Sequence, residues 1–193
     1  MRNTGKKRKL TSDEITMARK IFGDTIDYGT VKIANRRFDP FFSPKDGGFC
    51  SGNTINVSGS PYCDDFTKRN SSFFIHEMTH IWQYQTNPMN LGKKFTGELL
   101  KAKFNAKTYQ KQAYNYLIED GKTFNKYGLE QQAAMVQDYF ALVFNHGMGI
   151  SCRCDNKDMS REDKVQALEK ILKPHFPLSK SSPKSTPKNF KPR

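Results

Sequence analysis

The sequence predicts an α+β fold, a small twisted sheet packed on several helices. Two short segments near the front alternate apolar and polar residues with the period of a strand. Longer segments around and behind them repeat apolar residues at helical spacing, and no stretch of the chain repeats another.

The first element is a helix over "LTSDEITMARKIFG". Thr11 and Glu14 form a capping box, Ile15, Ala18 and Phe22 follow the helical period, and Gly23 can close the last turn. In "YGTVKIANRRF", Val31 and Ile33 alternate with Lys32 as in a strand. Asp39 to Gly52 is rich in Pro, Gly and Ser and reads as a long loop. "NTINVSG" gives a second strand with Ile55 and Val57 on one face, stopped by Gly59 and Pro61. A helix then follows Asn70-Ser71-Ser72, residues suited to an N-cap. Phe74, Met78 and Ile81 form its stripe, Ile75 and Trp82 widen it, and Asn87-Pro88 ends it. Another helix is expected over residues 105–118. The next runs from Leu129 to Phe144, with Leu129, Ala133, Val136, Phe140 and Val143 inward, and stops at Asn145-His146-Gly147. The last starts at Ser160, where Asp163 completes an S-x-x-D box, and ends before Pro174.

A chain of 193 residues suits one domain. No apolar run approaches the roughly 20 residues that cross a bilayer. "MRNTGKKRKL" has a basic start with no apolar stretch behind it, which is not the pattern of a secretory signal. The net charge of +13 is concentrated at the ends, because residues 1–9 and 173–193 hold many Lys and Arg and no acid. Between Leu10 and Leu172, 21 basic residues face 19 acidic ones. The expected organisation is a basic disordered N-terminus over 1–9, one folded domain over 10–172, and a disordered Lys/Pro/Ser-rich tail over 173–193. Such tails attract anionic polymers loosely, while the near-neutral body argues against a specific nucleic-acid partner.

Four cysteines lack the paired C-x-x-C spacing of a structural zinc site. Cys50 and Cys63 bracket a loop rich in Gly, Ser, Asn and Pro, a setting suited to a disulfide. A bridge between Cys152 and Cys154 would be strained.

The chemistry concentrates in "FFIHEMTHIWQYQ". His76 and His80 stand one turn apart on one helix face, where both imidazoles can reach one zinc ion. Glu77 lies too far round the helix to ligate well and stands where a general base for water is needed. Buried on an apolar helix, a His–Glu–His set without a metal would need other partners to offset its desolvation. A third histidine close behind the motif is excluded, since none occurs between His80 and His146. Downstream candidates for the third ligand are Glu98, Glu119, Asp120, Glu130, Asp138 and His146. Glu130 leads, because it opens the apolar helix "LEQQAAMVQDYF", where an unpaired charge is expensive. Glu98 is the alternative. The strand "NTINVSG" precedes the motif helix, as does the edge strand on which zincins lay peptide substrates.

These segments resemble a known family. "LTSDEITMARKIFGDTIDYGTVKIANRRF", "FFIHEMTHIWQYQ" and "LEQQAAMVQDYF" are similar to the zinc-metallopeptidase effector domains of bacterial type VI secretion, best known at the C-terminal end of valine–glycine-repeat spike proteins. The resemblance implies a zincin-like fold and Zn2+ held by His76, His80 and Glu130, with Glu77 as acid/base. It implies a toxin secreted without a signal peptide that hydrolyses amide bonds of protein or peptidoglycan in the periplasm of competing bacteria. The implied partners are that substrate, a cognate immunity protein and a secretion spike or other carrier. The chain starts at Met1 without a spike module, so it is expected to travel as separate cargo or as an excised domain. The rival readings are a non-catalytic zinc-containing binding module, which would close its metal with four protein ligands, and a basic nucleic-acid-binding protein.

Overall fold

The computed structural model describes residues 7–36, 47–88, 113–144 and 153–179. Within them the elements run β1 (Lys7–Lys9), α1 (Ser12–Phe22), β2 (Lys32–Asn35), β3 (Gly47–Ser51), β4 (Thr54–Ser58), α2 (Ser71–Thr86), α3 (Leu129–Phe144) and α4 (Arg161–Leu172). Short 3-10 turns at Tyr28–Thr30 and Phe124–Lys126 lead into β2 and α3. The α+β class expected from the sequence is the one observed. None of the described helices is long and apolar enough to cross a membrane.

The sheet has the order β1-β2-β4-β3. β2 and β4 run parallel with Ile33 opposite Ile55, whereas β1 and β3 pair antiparallel with their neighbours. "NTINVSG" is therefore an interior strand, all five residues of β4 buried, and the edge beside the motif helix is β3. β3 lies within the stretch Asp39 to Gly52 that is expected from its Pro, Gly and Ser content to be a loop. Its Gly-rich "GGFCS" has little strand propensity, and pairing with β4 supplies the order that propensity does not. The hairpin joining the two turns through Gly52 at φ 56°, a positive angle favoured in tight hairpins.

Helix α1 begins as expected. Thr11 Oγ1 accepts from Glu14 N at 3.1 Å, and Glu14 Oε2 accepts from Thr11 N at 2.9 Å. Glu14 does more than cap, being fully buried. It takes two 2.8 Å bonds from the Arg8 guanidinium and one of 3.1 Å from Phe66 N. The folded body thus starts at Lys7 rather than at Leu10. Arg8 anchors a three-residue strand too short and too charged for a hydrophobic pattern to reveal. The other end also extends further than expected. Phe176 packs 4.7 Å from Trp82 and edge-on to Phe22, and Ser179 N donates to Lys20 O, so residues 173–179 belong to the body. The disorder expected for 1–6 and 180–193 lies outside the described residues.

Helix α2 starts where expected, but Asn70 caps it only through its backbone. The residue adopts φ 62° and its side chain donates to Pro61 O. The core lies where α1, α2 and α3 meet the sheet, filled by Ile21, Phe22, Ile33, Ile55, Phe74, Met78 and Phe140. Of the helix expected over 105–118, residues 105–112 lie outside the described residues. By Tyr116 the chain is extended and bridged to Cys154. The stop at Asn145-His146-Gly147 also lies outside them. Ser160 accepts from Asp163 N at the start of α4, as the S-x-x-D pattern requires.

Glu14→Ala leaves Arg8 without its buried partner and two backbone amides unbonded, a loss of about 3 kcal/mol. Exposed Glu162→Ala should cost under about 0.5 kcal/mol. Urea unfolding of the two variants against wild type measures the contrast.

Candidate metal centre

The apolar face of α2 drives that helix against α3, and the motif side chains go with it. His76 and Glu77 are buried, at 5% and 4% exposure. The two imidazoles stand edge to face, with ring centroids 5.0 Å apart. Glu130, in the first turn of α3, places Oε2 at 3.2 Å from His76 Nε2 and 3.3 Å from His80 Nε2. Ligand atoms of His76, His80 and Glu130 all fall within 4.8 Å of one another, the one group of this kind among the described residues.

The other candidates for third ligand are elsewhere. Glu119 pairs with Lys122 on an exposed turn, and Asp120 is exposed beside it. Asp138 is buried but accepts from Tyr116 Oη and Arg153 N, both at 2.8 Å. Glu98 and His146 lie outside the described residues.

The electrostatics of the three groups are coupled. Burial works against the Glu130 charge, yet His80 and His76 hold its carboxyl far below the usual range. Burial alone would depress His80, but the Glu130 carboxylate outweighs it and raises the imidazole to about 9. Two nitrogens and one carboxylate oxygen that share a demand for positive charge suit a divalent cation such as zinc. The hydrogen bond from His80 Nδ1 to Gln83 Oε1, at 2.8 Å, turns Nε2 toward the shared point. The residues therefore fit a metal with three protein donors.

Strand β3 closes the other side of a cleft of about 310 Å³, lined also by Tyr84, Tyr114 and Leu129. A Cβ at Gly48 would stand 2.5 Å from Glu77 Oε1 and 2.6 Å from Phe73 Cζ, so any other residue there would push the Glu77 carboxylate and the Phe73 ring aside. Cys50 Sγ lies 3.3 Å from Glu77 Oε2 and 3.3 Å from the Glu77 carbonyl oxygen. Burial, reinforced by the Glu77 charge, pushes the Cys50 thiol well up and keeps it a neutral donor. Burial also raises the Glu77 carboxyl, against the pull of His76 and His80. Tyr114 stacks on His76 at 5.7 Å and its hydroxyl bonds Glu130.

The Cys50–Cys63 bridge suggested by the loop composition is not made. Both thiols are free, Cys50 turned to Glu77 and Cys63 to the Arg69 carbonyl oxygen 3.4 Å away. Strand pairing fixes Cys50 toward the cleft, away from its expected partner. Cys152 lies outside the described residues.

No family model matches the sequence. Over 139 residues the chain is 32% identical to the type VI secretion system spike protein VgrG2b of Pseudomonas aeruginosa, covering 69% of this chain and 13% of that protein. The solved effector domain of Pseudomonas aeruginosa VgrG2b superposes with a TM-score of 0.60 at 31% identity, over 70% of this chain and 74% of that domain. The chain belongs to the VgrG2b effector-domain family. The likeness is to that module, since the chain spans little of the spike protein's length.

Reading the sequence missed Gly48, Cys50 as a cleft residue, Tyr114 and Gln83. Only Gln83 carried a local signal, a polar residue one turn beyond His80 on the helix face that holds both histidines. Alkylation of the denatured, unreduced protein followed by peptide mass spectrometry should find both Cys50 and Cys63 modified. A Cys50–Cys63 cross-linked peptide would contradict the observed geometry.

Proposed function

We propose that this chain is a zinc-dependent peptidase domain, delivered by type VI secretion, that hydrolyses amide bonds in the periplasm of a target bacterium. The observation that carries the reading is the convergence of His76, His80 and Glu130 beside a buried Glu77, at a cleft roofed by an edge strand. Membership of the VgrG2b effector-domain family supports the effector role and a spike or other carrier as partner. The three donors match the ligand number of catalytic zinc sites, whereas a structural site takes four.

In this reading His76, His80 and Glu130 hold the metal, and Glu77 is the acid/base. Bound zinc supplies Lewis acidity, polarising the scissile carbonyl and making water more acidic. Glu77 accepts a proton at a carboxylate oxygen as water adds to the carbonyl carbon. It returns that proton to the amine nitrogen as the C–N bond breaks. Its raised pKa suits both halves of the exchange. Cys50 and Gly48 fix where the carboxylate stands, Cys50 by its hydrogen bond and Gly48 by the absence of a side chain. β3, at the sheet edge among the described residues, offers backbone groups to an extended peptide. The substrate is a periplasmic protein or a peptidoglycan peptide, and a cognate immunity protein protects the producer.

Glu77→Gln should keep one zinc per chain and lose about 100-fold or more in amide hydrolysis, since the proton acceptor is gone and the donors remain. Glu130→Ala should lose metal and activity together, and Glu98→Ala neither. Metal analysis beside peptidase and peptidoglycan-digestion assays reads all three, and a metal-free wild type would sink the proposal. Wild type routed to the periplasm should arrest growth, whereas the same chain kept in the cytoplasm should be tolerated. Equal toxicity in both compartments contradicts periplasmic action.

A further inference from the structure

We propose that Gln83 is a positioning residue whose side-chain amide does two separate jobs. Oε1 fixes the metal-facing orientation of His80, and Nε2 ties α2 to the start of α3, where Glu130 stands. The inference rests on reading the site as a metal centre.

Gln83 is buried, at 5% exposure, one turn beyond His80 on the same helix. Which end of its amide is oxygen follows from the partners. One end lies 3.1 Å from the Leu129 carbonyl oxygen, which only accepts, so that end is Nε2. It also lies 2.9 Å from the Gln132 side-chain oxygen. Gln132 is oriented in the same way, its Nε2 donating to the carbonyl oxygens of Phe124 at 3.1 Å and Tyr127 at 3.0 Å. Three backbone carbonyls thus set two amides in turn. The end of Gln83 left for His80 is Oε1, an acceptor, 2.8 Å from Nδ1. His80 must carry a proton on Nδ1, so Nε2 is the nitrogen that faces His76 and Glu130, where a metal would take the place of its proton.

Ligating histidines commonly donate to a carboxylate or a backbone carbonyl. A side-chain amide achieves the same orientation without adding a third negative charge near Glu77 and Glu130. The bond to the Leu129 carbonyl pins the backbone directly beside the third donor. One residue therefore sets the angle of His80 toward the metal through Oε1 and, through Nε2, braces α2 against the start of α3, a job read in the fold's stability rather than in zinc affinity.

The test separates the two ends of the amide. Gln83→Leu removes both jobs, whereas Gln83→Glu keeps an oxygen for His80 and loses the amine that bonds Leu129 and Gln132. Zinc affinity is measured by competition with a chromophoric chelator, and the metal-free fold by its thermal midpoint in circular dichroism. Both variants should melt below wild type. Gln83→Leu should bind zinc about 10-fold or more weaker, while Gln83→Glu should stay within about threefold of wild type. If both variants weaken zinc equally, or if Gln83→Leu binds as well as wild type, the residue is only structural and the inference falls. If Gln83→Leu does not fold, Gln83→Glu decides alone, and a loss of about 10-fold or more overturns it. A wild type that binds no zinc defeats the metal-centre reading itself, an outcome distinct from any ranking of the variants.

Discussion

One carboxylate oxygen facing two imidazole nitrogens is the contact to which the helical half of the molecule answers. Glu130 is three-quarters shielded from solvent, and a carboxylate in that setting is tolerated only where positive charge reaches it. Meeting that demand requires α2 to bring His76 and His80 round on one face and α3 to begin beside them. Apolar packing supplies the force, through Phe74, Met78 and Ile81 on α2 and Ala133, Met135 and Phe140 on α3. The polar contacts supply the registry, since the apolar faces alone would accept several offsets. Hydrophobic burial and site geometry are thus one arrangement, and neither helix can slide without separating the three donors.

The sheet enters the same arrangement from the opposite side. β4 is buried along its whole length and sets the height of β3, which in turn reaches Glu77 through Gly48 and Cys50. β1 is held by Arg8 against Glu14, and Glu14 also bonds the segment that leads into α2. The capping residue of the first helix therefore lies in a continuous path to the motif helix. At the far end, Trp82 on the outer side of α2 receives Phe176, so the last described residues brace the helix that carries the histidines.

What was legible in the sequence was what is decided locally. Thr11 and Glu14, Ser160 and Asp163, and the stripe from Leu129 to Val143 act within a turn or two, and those elements stand where they were expected. The histidine spacing is equally local. Glu130 was legible as a third-donor candidate for a different reason, because a charge opening an apolar helix calls for a partner. The residues that escaped reading depend on distant pairing. β1 and β3 are three and five residues long, one highly charged and one rich in glycine, and each exists because a neighbouring strand takes up its hydrogen bonds. Cys50 misled for the same reason. Its sequence neighbours suggest a bridge to Cys63, but the strand they belong to turns the thiol toward Glu77.

The bare backbone at Gly48 gives the cleft a mutational weak point outside its donor set. Every missense change in that codon adds a Cβ where 2.5 Å separates it from the Glu77 carboxylate. Such an allele keeps both histidines and the carboxylate of α3, and so leaves the candidate donor set intact to any reader of the gene. It nonetheless displaces the acid beside them. Under the proposed peptidase function, a single base change at this strand would be a short evolutionary route to a silent copy.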